Sequence, residues 1–74
     1  MLTVADLKKG EKAKVLDFSV DTIPLKLIEM GCLPGNEIEL VQTTLFNGPL
    51  FLRINGSNIA IRKNTAAEIL IEKI

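Results

Sequence analysis

Along "NEIELVQTT" the carboxylates Glu37 and Glu39 alternate with Ile38 and Leu40. A period of two marks a strand with one face against a core and the other in water. "EKAKVLDFSV" is rich in β-forming residues but alternates less cleanly: Ala13 and Val15 share one parity, Leu16 and Phe18 the other. This predicts a strand whose second half is covered on both sides. "LFLRI" and "SNIAIR" flank Asn55-Gly56, the residue pair a two-residue type I′ turn demands because both central positions need positive φ. These two runs are expected to pair antiparallel, and "ILIEKI" to close the chain as a last strand.

Only "DTIPLKLIEMG" carries a helical period, with Ile23, Leu27 and Met30 at i, i+4 and i+7. Asp21 or Thr22 can cap it, Pro24 is tolerated in a first turn, and Gly31 suits the left-handed closing position. Pro34 forbids continuation, and Pro34-Gly35 has the order of a type II turn. Two single turns complete the reading. One lies in "TVADLKKG", where Thr3 and Asp6 have capping-box spacing, and one in "KNTAAE", starting near Asn64 or Thr65. Short strands with one interposed short α-helix favour a mostly β fold, a small antiparallel barrel of about five strands.

At 74 residues, 1–74 is expected to be one domain. A lone cysteine cannot form an internal disulfide, and the absence of histidine excludes a Cys/His zinc site, so the apolar core must hold the fold unaided. No apolar run reaches the length of a membrane span, and "MLTVADLKKGEK" lacks the apolar stretch of a signal peptide. A cytoplasmic location without membrane insertion is expected. Nine basic residues balance nine acidic ones, so no global field attracts nucleic acid.

Candidate chemistry is sparse. Cys32 sits between Met30 and Pro34-Gly35 with Glu29, Glu37 and Glu39 close by, yet soft metals need several Cys or His and hard metals need converging carboxylates. Neither is spelled out here; a buried cysteine in a turn is the simpler reading, with no metal and no cofactor. General base, activated nucleophile and phosphate cradle are all missing, which points away from an enzyme. Lys8, Lys9, Lys12 and Lys14 cluster, and Arg53, Arg62 and Lys63 could converge across the hairpin, but the stacking aromatics of a nucleic-acid-binding barrel are nearly absent. Such a module stays as the alternative, although no nucleic-acid partner is expected. Phe46, beside Leu45 in "LFNGP", is either a lid on the core or an exposed contact.

"LIEMGCLPGNEIELV", a loop, and "PLFLRINGSNIAIRKNTAAEILIE" together resemble the FeoA family of small cytosolic proteins that accompany the FeoB ferrous iron transporter of bacteria. Leu27, Met30, Gly31, Pro34, Gly35, Pro49, Gly56, Ala60, Arg62 and Ala67 stand at matching positions, from about Leu2 to Glu72, while Gly48 replaces the usual Asp before Pro49. The resemblance implies an SH3-like β-barrel and a non-catalytic accessory role, binding the cytosolic portion of the transporter. Similar domains end iron-dependent repressors, a second alternative, but no DNA-binding helix pair precedes this one. A helix on a small barrel has one buried side, so some of Leu25, Leu27, Ile28 and Met30 are expected outside beside Leu33 and the Leu45-Phe46 loop. The candidate docking set is Leu27, Met30, Leu33, Leu45 and Phe46, with core packing the competing role for Leu27 and Met30. Weak self-association is the other contact such a patch allows. Gly31, Pro34, Gly35, Asn55 and Gly56 are assigned to structural turns.

Overall fold

The structure, a computed structural model, describes residues 2–74. After a 3-10 turn at Val4–Asp6 come β1 (Lys12–Asp17), α1 (Leu25–Glu29), β2 (Glu37–Gln42), β3 (Leu50–Ile54), β4 (Ser57–Ile61), α2 (Lys63–Ala66) and β5 (Leu70–Lys73). The five strands form one antiparallel sheet in the order β4-β3-β2-β1-β5. Its outer strands are not hydrogen-bonded to each other, so the sheet is barrel-like but open. Register shifts between Val15 and Asp17 and between Leu40 and Gln42 mark irregularities where the strands can bend around the core.

The two-residue period survives in three dimensions. Ala13 and Val15 of β1, Ile38 and Leu40 of β2, Leu50, Leu52 and Ile54 of β3, and Ile61 and Ile71 of the outer strands all face one core. Val4, Leu7, Ile23, Leu27, Cys32, Ala66 and Ile69 close it from the connecting segments. No polar or charged side chain is buried among the described residues. Cohesion is therefore apolar, at about 25 cal/mol for each Å² removed from water.

Three local expectations need correction. Leu16 is exposed, because it lies on the parity opposite the buried Ala13 and Val15 and nothing covers that face, so the second half of β1 is not covered on both sides. Pro24, not Asp21 or Thr22, stands at the N-cap of α1; the Thr22 hydroxyl donates to the Ser19 carbonyl in the preceding turn instead. The turn in "KNTAAE" begins at Lys63, capped by Arg62 without a side-chain bond, so a second short helix joins the one expected. By contrast, the Thr3 amide donates to the Asp6 carboxylate at 2.8 Å, as the capping-box spacing requires.

Candidate docking surface

The C-terminal end of α1 is stopped and fastened by three separate devices. Gly31 has φ +103°, its N–H donates to the Ile28 carbonyl at 3.0 Å, and the Cys32 N–H donates to the Leu27 carbonyl at 2.9 Å. This is the double-bond helix stop that places an apolar residue just beyond the glycine against the last helical turn. Cys32 is that residue. It is fully buried beside the core, and burial pushes its thiol pKa up, which is the opposite of a thiolate metal ligand.

Two asparagines then satisfy carbonyls that the helix leaves open. Asn55 Nδ2 donates to the Met30 carbonyl at 3.0 Å and Asn36 Nδ2 to the Gly31 carbonyl at 2.8 Å. A Cβ on Gly31 would overlap the Asn55 amide, so glycine is needed there for space as well as for φ. The type II turn forms as read: the Asn36 N–H donates to the Leu33 carbonyl at 3.0 Å across Pro34 and Gly35, and Gly35 has φ +93°. Asn55 and Gly56 have φ 51° and 80°, and Ile54 pairs with Ser57 around them. Asn55 thus has two tasks, the hairpin turn and the tie to α1. Only the first could be read from neighbouring residues.

The five docking candidates separate. Leu27 is 1% exposed and belongs to the core, so it is not an exposed contact. Met30 is half-buried and Leu33 exposed, both at the end of the molecule where the Asn55-Gly56 hairpin lies. Leu45 and Phe46 lie at the opposite end of β2, roughly 20 Å of strand away. They do not form one patch with Leu33. Phe46 is no lid either, since it is 97% exposed and Leu45 80%. The loop is nonetheless fastened at its base. Thr44 Oγ1 donates to the Pro49 carbonyl at 2.9 Å, and Lys63 Nζ donates to Asn47 Oδ1 at 3.2 Å. Phe46 and Asn47 both adopt left-handed φ, 58° and 59°, a conformation that costs a bulky residue about 1–2 kcal/mol. Leu25, 67% exposed at the start of α1, is an exposed apolar residue that the candidate set omitted.

Three of the basic side chains are held by individual partners. Arg53 pairs with Glu39 at 3.3 Å across β2 and β3, and Lys63 is held by Asn47. Lys73 pairs with Glu11 at 3.2 Å; the Lys8 amide and then Lys73 hold the Glu11 carboxyl below its ordinary pKa. Among the described residues no group of three or more Cys, Asp and Glu is placed to hold a metal ion. No helix there is long and apolar enough to cross a membrane.

Comparison with known proteins agrees with this architecture. The family model of the FeoA domain matches residues 2–73. A Methanocaldococcus jannaschii protein that carries the name Fe(2+) transport protein A is 31% identical over 74 residues, covering 97% of this chain and 87% of that protein. The solution structure of iron(II) transport protein A from Clostridium thermocellum superposes with a TM-score of 0.86 at 33% identity, over 99% of this chain and 46% of that one. A Stenotrophomonas maltophilia FeoA crystallised with zinc, described as a procaryotic SH3 domain protein, gives a TM-score of 0.81 at 22% identity, over 97% of this chain and 91% of that one. With the family model spanning nearly every residue and the sheet order that of an SH3-like fold, the chain belongs to the FeoA family.

Proposed function

We propose that this protein is a non-catalytic accessory factor of ferrous iron uptake that binds the cytosolic part of a FeoB-type transporter, with Leu45 and Phe46 as the contact. The observation that carries the reading is the Phe46 ring, 97% exposed on a loop whose base is tied by Thr44 and Asn47. An aromatic side chain displayed in this way has no role in the core and is a natural anchor for a partner. Burying one large apolar side chain is worth about 1.5–3 kcal/mol, so Leu45 and Phe46 together supply at most about 6. A micromolar complex needs about 8 kcal/mol net, so the partner must also engage surface beyond these two side chains.

The test is ferrous-iron-dependent growth of a strain lacking its own FeoA, complemented with Leu45→Glu, Phe46→Glu or wild type. Each variant should melt like wild type, because neither side chain is buried, and Phe46→Glu should fail to restore growth. Full complementation by folded Phe46→Glu would refute the assignment of this loop.

A further inference from the structure

The two edges of the open sheet are treated differently. β5 is covered: Thr3 bridges Leu70, the Ile71 N–H donates to the Leu2 carbonyl at 3.0 Å, and the Val4 N–H to the Ile69 carbonyl at 3.0 Å. β4 has no such cover among the described residues. Because Ile54 and Ser57 close a two-residue hairpin, they exchange hydrogen bonds, and the alternation makes Leu52–Ile59 and Leu50–Ile61 the next bonded pairs. The N–H and C=O groups of Asn58 and Ala60 therefore point away from the sheet. Edge strands are usually blunted by lysine, proline or a bulge; "SNIAI" has no charge, no proline and an unbroken register.

Beside this edge runs a groove of about 310 Å³ between β4 and α1, floored by Leu27, Ile59 and Ile61. Its charged lining residues are Lys26 and Arg62, both basic. We infer that β4 accepts an extended segment of a partner protein, which pairs with Asn58 and Ala60, places apolar side chains in the groove and sets flanking carboxylates on Lys26 and Arg62. Strand addition gives affinity through the main chain, while alternate side chains give selectivity through the groove. A second copy of β4 is the poorer occupant, because it brings no acidic residue to either cation. The inference does not require the partner to be the transporter, and its test contains no transporter.

The probe is the capped peptide acetyl-Glu-Glu-Val-Thr-Val-Glu-Glu-amide, titrated into the ¹⁵N-labelled protein with amide hydrogen exchange read residue by residue. At saturation the Asn58 and Ala60 amides should exchange about tenfold or more slowly. Ala60→Pro removes an outward N–H without touching the β3 ladder and should abolish that binding. Should Ala60→Pro fail to fold, N-methylation of the peptide threonine removes a bond from the other side, and Arg62→Glu should weaken binding of the unmodified peptide. Unchanged exchange at Asn58 and Ala60, equal binding of a lysine-flanked peptide, or protection that grows with protein concentration in the absence of peptide would each overturn the inference, the last in favour of self-pairing.

Discussion

Gly31→Ala probes the junction on which the α1 end of the molecule depends. At φ +103° an L-residue is strained by about 1–2 kcal/mol, and the added Cβ displaces the Asn55 amide from the Met30 carbonyl, a hydrogen bond worth about 1 kcal/mol. The sum is about 2–3 kcal/mol. For 74 residues the whole stability is about 4–11 kcal/mol, so the variant should fold, with a melting temperature roughly 10–20 °C lower. Urea unfolding separates the two contributions through a double-mutant cycle with Asn55→Gly. Glycine keeps the φ of 51° that the hairpin needs and deletes the amide. In that background Gly31→Ala should cost only the strain, leaving a coupling of about 1 kcal/mol. If the two changes add within about 0.3 kcal/mol, the steric contact between Gly31 and Asn55 is not what makes glycine necessary.

Leu27→Ala should cost about 2–5 kcal/mol in the same assay, whereas Leu25→Ala on the exposed side of α1 should stay within about 0.5, which checks the division of the helix into core and surface. Alkylation of Cys32 should be slow in the native protein and accelerate along the urea unfolding curve; rapid native labelling would contradict its burial. Glu11 has its pKa lowered on folding, so its contribution is complete above the unfolded carboxylate range and is lost as pH falls through the folded value. The stability gap between wild type and Glu11→Gln should therefore close on acidification from about pH 6 to about pH 3.

The turns were legible in the sequence because their chemistry is local. Pro34-Gly35 and Asn55-Gly56 each state φ requirements that few residue pairs meet, and both turns form as read. The strands followed from parity except at Asp17, which shares the parity of Ala13 and Val15 yet is exposed where the register of β1 shifts, something alternation cannot express. What escaped was long-range. Asn55 and Met30 are far apart in sequence, and nothing near either one announces that a hairpin amide will cap a helix. The docking set failed as a single patch for a related reason: Leu33 and Phe46 bracket β2, and only a traced strand shows that they lie at opposite ends. Leu27 and Met30 share a helical stripe, but α1 has five residues and ends at Glu29, so Leu27 reaches the core while Met30 stays half in solvent.

The most direct test of the functional reading is a titration of the ¹⁵N-labelled protein with the purified cytosolic part of a FeoB-type transporter, followed by amide chemical shifts. Saturable perturbation should centre on Leu45, Phe46 and Asn47, and Phe46→Glu should remove it while leaving the rest of the spectrum in place. No saturable perturbation, or binding that maps elsewhere and is indifferent to Phe46→Glu, would contradict it.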